Sequence, residues 1–418
     1  MAFAETVKSI NPVAWINSTR VHVVLFVSLV VATPFMMLQV YMQDAVHLLS
    51  VLKVELWGLE IVVVPAVGII LIIVTLVFFP RYLTKIRLLG ALVAFLMIAS
   101  AQQVADLYLN LKFYDIQQNW HYFAYALFAY VLYRDLGPRG VSWDKLIRYA
   151  YIIALSASIF DEAFQMEMSN RIFDISDIAK DGWGVLMGLV LICFWVDKSF
   201  FLSPEYRRLR HSRLRDYFVQ PMSLLLLLMV MTFLLIFYSS LLTELEYWKH
   251  IVAFTLLTTA VLLLLVHISQ FKWGKMSLIV VLSTLILIQL GSFIKYRDQG
   301  IMKNQTGLTI YKGIPLPFFD VMIYSDGGIR LVDKKRSFNQ TDRLFLLRQE
   351  SDIILIGSGP DGEGGEGFPK KAVSQFLYNP ISKKGTQVII LKNEGACEAF
   401  NRLIREKKNV LFILHNSC

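Results

Sequence analysis

Charge is what this chain has least of. Asp, Glu, Lys and Arg make up 17% of its 418 residues, whereas soluble domains carry about one quarter. Cysteine is scarce too, being confined to Cys193, Cys397 and Cys418. That number and spacing exclude a disulfide framework and a thiolate metal cluster. Cys193 falls in an apolar run, as a small core residue would. Cys397 and Cys418 could pair only on an oxidising side of a membrane, and free thiols are the expectation. In place of charge stand apolar residues, 56% of the chain, with a mean hydropathy of +0.54. The net charge of +9 does not argue for nucleic acid. Much of it lies in short loops between apolar runs, where Lys and Arg set membrane topology. The expected partner is the lipid bilayer, and no nucleic acid is expected.

A bilayer core takes about 20 mostly apolar residues per helix. That ruler gives about nine spans, near 21–42, 58–79, 87–107, 120–134, 146–164, 179–197, 221–243, 249–269 and 275–294. The first is too long for a signal-peptide core, and Pro34 within it suggests a kink. The expected fold is a polytopic α-helical membrane bundle of about nine transmembrane helices, followed by a soluble α/β domain. Composition shifts near residue 295, where sparse charge gives way to dense charge and the soluble domain begins. Basic loops after every second span, such as Arg81, Lys85 and Arg87 or Arg207, Arg208 and Arg210, alternate with acid-leaning ones. The positive-inside rule then places the N-terminus in the cytoplasm and, with nine spans, the C-terminal domain outside a bacterial inner or plasma membrane.

The tail alternates strand and helix signals. Asp320–Ile323 and Ile329–Val332 flank Ser325-Asp326-Gly327-Gly328, a hairpin pattern. A helix is expected over Thr341–Arg348 with Thr341 as its cap. Strands follow at 352–356, 387–391 and 410–414, and further helices near 370–377 and 395–406. Such alternation predicts a mostly parallel sheet covered by helices. Gly357-Ser358-Gly359 lacks the Lys of a phosphate loop and reads as a turn.

The residues that could carry chemistry run from Asp161 and Glu162 through Gln165, Arg171, Asp174, Asp177 and Asp181. Glu162 and Gln165 stand three apart on one helix face. Asp174, Asp177 and Asp181 recur at three and four, a polar stripe entering the membrane, with Arg171 as counter-charge. Ionisable groups at that depth cost several kcal/mol unless paired, which makes the cluster a candidate site. The bland alternative is a charged surface loop with carboxylates starting a helix. The acidic excess suits a metal or a cationic head group. His121 and Tyr125, four apart at the start of the fourth span, join the candidates if they face the stripe. Gly184 and Gly188 form a small-xxx-small pair for close helix approach.

The order and spacing of Glu162, Gln165, Arg171, Asp174, Asp177, Asp181, Gly184 and Gly188 resemble the signature of the VanZ-like membrane family. Asp181 stands where that family usually has Asn. His121-Tyr122 and Tyr125 resemble its earlier His-Phe and Tyr element, while Gln117 and Gln118 replace its Asp-Lys. The resemblance covers about residues 86–197 and implies a division of the chain into 1–85, 86–197, 198–294 and 295–418. It implies a cell-envelope protein, since the founding member lowers susceptibility to the glycopeptide teicoplanin, and it implies no assigned reaction. The tail, through Ile353–Gly359 and the run Ala396–Leu403, resembles the small α/β domain of mitochondrial complex I assembly factor three and its prokaryotic relatives. Asn393 stands where that family commonly has Thr.

Three functions follow as expectations. The first is a ligand-binding or protective envelope protein using Glu162, Gln165, Arg171, Asp174, Asp177, Asp181, His121 and Tyr125, with a lipid-linked or envelope ligand. The second is an intramembrane enzyme, metal-assisted, acting on a lipid or peptide bond. The third, a transporter, ranks last because paired broken half-spans are not seen. The tail would serve any of these as a protein-docking module.

Overall fold

The computed structural model describes residues 18–32, 45, 48–49, 52–56, 59–78, 80–105, 116–165, 173–197, 200, 209–242, 247–305, 307–317, 319–332, 346, 351–359, 362, 374–379 and 383–416. Arg171, Cys418 and most of the helix expected over Thr341–Arg348 lie outside those residues. The chain divides into two compact units. One holds Met1–Ala105, Leu111–Ser239 and Thr243–Gln270; the other holds Phe271–Cys418 with the short pieces Asp106–Asn110 and Ser240–Leu242.

A helix stands at each of the nine expected positions: α1 Thr19–Ala32, α2 Val63–Phe78, α3 Lys85–Ala105, α4 Ile116–Leu136, α5 Trp143–Gln165, α6 Ile175–Leu191, α7 Pro221–Leu241, α8 Trp248–Ile268 and α9 Lys272–Tyr296. Among the described residues, five are long and apolar enough to cross a membrane: α3, α6 with its following π-helical turn Ile192–Val196, α7, α8 and α9. The apolar segments of α1 and α2, Thr19–Leu29 and Val63–Thr75, are shorter. Two strands, β1 Lys53–Leu56 and β2 Leu59–Val62, pair antiparallel ahead of α2. The second span therefore begins as helix at Val63 rather than near residue 58, because residues 59–62 place their backbone groups in that ladder.

The first unit is built around α6. Ile178 to Val190 are buried without a break, whereas α9 in the other unit has no buried residue. An apolar helix buried on all sides belongs inside a bundle. Two glycines explain how α6 comes so close to α4. A Cβ added at Gly184 would stand 2.9 Å from the carbonyl oxygens of His121 and Tyr122, and one at Gly188 would stand 2.6 Å from the Ala126 carbonyl. Only a residue without a side chain lets the two backbones meet there. Buried polar links fix the other neighbours: Trp183 Nε1 donates to the Met97 carbonyl of α3 at 2.9 Å, and the Tyr151 hydroxyl of α5 meets Thr232 Oγ1 of α7 at 2.6 Å. At the far end of α4, Thr19 of α1 donates to buried Asp135 at 2.7 Å, and Arg139 pairs with the same carboxylate.

In the second unit, α9 leads into a meander of β3 Ile301–Gln305, β4 Leu308–Tyr311 and β5 Ile314–Pro317. Gln289 and Ser292 of α9 both donate to the Gly313 carbonyl at 3.0 Å. Gly313 has φ +77° and no room for a Cβ against Ser292, so the turn that α9 grips requires glycine. The meander was not foreseen from the sequence. A six-stranded sheet follows, made of β6 Asp320–Ile323, β7 Ile329–Val332, β8 Ile353–Gly357, β9 Ser374–Asn379, β10 Lys384–Leu391 and β11 Val410–Leu414, in the order β7-β6-β11-β8-β10-β9.

Two expectations for the tail are corrected. The sheet is mixed rather than mostly parallel: only β8 runs parallel to its neighbours β10 and β11, and the other three ladders are antiparallel. Residues 374–379 form edge strand β9, not part of a helix over 370–377, because β10 starts at Lys384 and offers six residues of pairing partners to Ser374–Asn379. The hairpin β6–β7 and strand β11 match the expected bounds. Helix α10, Asn393–Arg405, lies inside this unit with Ala396, Ala399, Phe400 and Leu403 buried in its core. Phe400 stacks on Phe412 with ring centroids 4.6 Å apart. Asn401 closes both backbone groups of Ile301, accepting from its N–H and donating to its carbonyl at 2.7 Å each.

Candidate functional site

Three helix ends of the first unit carry the polar cluster: the start of α4, the end of α5 and the start of α6. The close packing enforced by Gly184 and Gly188 sets the register, so His121 stands opposite Asp177 and Asp181. His121 Nδ1 lies 2.9 Å from Asp181 Oδ1, and Nε2 lies 3.7 Å from Asp177 Oδ2. The second oxygen of Asp181 accepts from Ser158 of α5 at 2.6 Å. Asp181 is 3% exposed, and both its oxygens are engaged, as a carboxylate taken out of water demands.

Asp177 is held by Lys180, whose ammonium donates to it at 2.8 Å across one helical turn. Lys180 is itself buried. Arg171, the counter-charge expected from the sequence, lies outside the described residues; Lys180 is a counter-charge for Asp177 whose signal in the sequence was the three-residue spacing. The pair also lies in the first turns of α6, where the helix dipole favours the carboxylate.

The second part of the cluster closes the end of α5 onto the start of α6. Glu162 is buried; its Oε1 accepts from Gln165 at 2.8 Å and its Oε2 accepts from the Asp174 backbone N–H at 2.9 Å. Asp174 is the N-cap of α6, its carboxylate accepting from the Ser176 N–H at 2.7 Å. Its side chain therefore performs a capping role, the bland alternative that the sequence also allowed. Ser158, Glu162 and Gln165 follow three- and four-residue spacing, so they share the face of α5 that turns into the bundle.

Asp161 and Tyr125 complete the group. Asp161 Oδ2 accepts from Gln165 at 3.2 Å, and its carboxylate lies close enough to Asp181, His121 and Asp177 to feel their charges. The Tyr125 hydroxyl is buried beside Ser158 and Asp181. The structure thus gathers His121, Tyr125, Glu162, Gln165, Asp174, Asp177 and Asp181. It adds Ser158 and Lys180, which the sequence did not single out, and includes Asp161, the first residue of the charged stretch. Ser158 had no readable signal, since a serine in an apolar helix becomes informative only when a carboxylate is found across from it.

Chemically, the arrangement can hold charges and pass protons. Asp181 accepts from both His121 and Ser158, so the serine proton is directed at the carboxylate and not at the imidazole. This differs from a nucleophile–base pair, in which the hydroxyl meets the imidazole. Among the described residues, no group of three or more His, Cys, Asp or Glu side chains is arranged to hold a metal ion.

Fold and site define a helical protein with several membrane-length apolar helices, a polar cluster among α4, α5 and α6, and a C-terminal strand-rich unit. No family model matches the chain, and no curated protein matches it. A solved structure titled MT938 aligns with 29% of this chain and 99% of its own length, at 18% identity and a TM-score of 0.22. A similarity of that size establishes no common fold.

Proposed function

We propose that the chain is an integral membrane protein of the bacterial cell envelope, VanZ-like over about residues 86–197, whose polar cluster binds a lipid-linked or envelope ligand. The observation that carries this reading is His121 set between Asp177 and Asp181 within a helix pair held at glycine distance. Charged groups removed from water in a membrane-type bundle are costly to maintain, and a ligand site is the usual return for that cost. The sequence pattern from Glu162 to Gly188 supports the same reading. In this proposal nine helices cross the membrane, with α1, α2, α4 and α5 completing the five that are apolar enough on their own. The cluster then opens at the outer leaflet, the N-terminus is cytoplasmic, and the C-terminal unit is an extracytoplasmic docking module for a protein partner.

An intramembrane enzyme is the second reading, and the proximity of Ser158, Asp181 and His121 is what favours it. The lack of a hydroxyl-to-imidazole contact leaves it behind the binding reading.

The test is a pair of variants, Glu162→Ala and Arg171→Ala, in cells whose glycopeptide susceptibility depends on the protein. Both should lose the ligand-dependent phenotype at unchanged protein level. Two variants with the parental phenotype would reject the site.

A further inference from the structure

Within the cluster, the acidic groups are not equally matched. Asp177 has Lys180, and Asp181 has His121 and Ser158. Glu162 receives two N–H donors. Asp161 is the exception: Oδ2 takes the Gln165 amide, while Oδ1 is fully buried and has no hydrogen-bond partner among the described residues. The hydroxyl of Tyr125, on a residue only 5% exposed, likewise forms no hydrogen bond of acceptable geometry, although Ser158 and Asp181 stand beside it and the charge of Asp161 reaches it. A buried carboxylate oxygen without a donor is among the more expensive arrangements in a protein. Here both groups lie within reach of Asp181, and the carboxylates acting on Asp161, those of Asp181 and Asp177, outnumber the one imidazole, His121.

We infer that this corner of the site takes a protonated amine, an ammonium group donating N–H to Asp161 Oδ1 and to the Tyr125 oxygen. The inference rests on the ligand-binding reading given above and names the chemical class of its ligand. An anion would meet Asp161, Asp181 and Asp177 together. A quaternary ammonium would bring charge but no donor, leaving both oxygens unmatched. A primary ammonium supplies charge and three donors, and the charge-assisted hydrogen bond it makes to a carboxylate is the stronger kind. The amine could be a lipid head group or belong to a water-soluble envelope molecule.

The full chain, purified in dodecyl maltoside, would be titrated calorimetrically with dihexanoyl-phosphatidylethanolamine, dihexanoyl-phosphatidylcholine, free ethanolamine and dihexanoyl-phosphatidylglycerol. Saturable binding of the ethanolamine lipid is expected, weakened about tenfold or more by Asp161→Asn and to a lesser degree by Tyr125→Phe. Ethanolamine binding comparable to its lipid would identify a soluble amine as the source; a strong preference for the lipid would identify a head group. Asp161→Asn should also keep or raise the thermal midpoint, since it removes an unmatched buried charge. A lowered midpoint would mark Asp161 as a structural partner and overturn the inference. So would equal binding of the choline lipid, or amine binding indifferent to Asp161→Asn. Glycerol-lipid binding lost in His121→Ala, with no amine binding, would overturn the ammonium assignment while leaving a ligand site in place. No saturable binding of any probe, alongside parental phenotypes for Glu162→Ala and Arg171→Ala, would remove both.

Discussion

Asp181 shows how a single residue sets the terms for its neighbours. It is nearly sealed from water, and its two oxygens are met by His121 and Ser158, one from each adjoining helix. A carboxylate in that position is tolerable only with both partners in place, so the identity of residue 181 constrains residues 121 and 158 across two helix interfaces. Asn, the residue usual there in the VanZ-like pattern, would need only hydrogen bonds and no charge partner. A different logic applies to Cys397 in the C-terminal unit. Burial, with the neighbouring Glu398 carboxylate, pushes its thiol up to about 12. Alkylation proceeds through the thiolate, so at pH 8 almost none of the reactive form exists in the folded state. Iodoacetamide followed by peptide mass spectrometry should find Cys397 essentially unlabelled in the native chain and rapidly labelled after denaturation. Prompt labelling in the native chain would mean that α10 does not stay packed as described.

At the scale of elements, α6 organises the first unit because its sequence combines three properties. It is apolar enough to be buried, it carries its charged residues at one end, and it places two glycines one turn apart. The glycines decide how near α4 lies, and that distance decides whether His121 can reach Asp181. Gly188→Ala should therefore be strongly destabilising, about 2 kcal/mol or more by overpacking, because the new Cβ would fall 2.6 Å from the Ala126 carbonyl and 2.8 Å from Ala129 Cβ. Gly68→Ala in α2 is the control. Nothing lies within 4 Å of its added Cβ, and alanine is the better helix former by up to about 1 kcal/mol. Thermal unfolding of the two variants in detergent should shift in opposite directions. Equal shifts would contradict the glycine contact between α4 and α6. The glycine pair was legible in the sequence as a close-approach motif, but its partner was not, since spacing along one helix says nothing about which other helix it meets.

For the whole molecule, the decisive quantity is where apolar surface remains exposed. Leu285, Ile286, Leu287 and Ile288 of α9 are all more than half exposed, and Lys272–Tyr296 buries nothing in its own unit. In water such a helix would be a liability; in lipid it is stable. The proposed nine crossings place the C-terminus outside, and a C-terminal alkaline phosphatase fusion should be active while a green fluorescent protein fusion stays dark. The reverse result would require an even number of crossings and would turn the polar cluster toward the other face only if the missing span preceded α4. The helices α1, α2, α4 and α5 are where this count is decided: the apolar segments of α1 and α2 are short, and the charged and aromatic residues of α4 and α5 make those two poor crossings in isolation.

Periodicity and composition by themselves indicated helices at nine positions, five of them long and apolar enough to cross a membrane, together with the hairpin β6–β7, strand β11 and the placing of Glu162, Asp174, Asp177 and Asp181 at the ends of apolar helices. Those features are local, because hydrophobic length, turn residues and three- or four-residue spacing are properties of neighbouring positions. The tertiary structure decided the rest. It turned 374–379 into a strand through partners supplied by β10, made the sheet mixed, set Lys180 as a cation beside Asp177, and brought Ser158 and Tyr125 to Asp181. Each of these depends on contacts between residues far apart in sequence, where chain geometry and mutual burial, and not local preference, choose the partner.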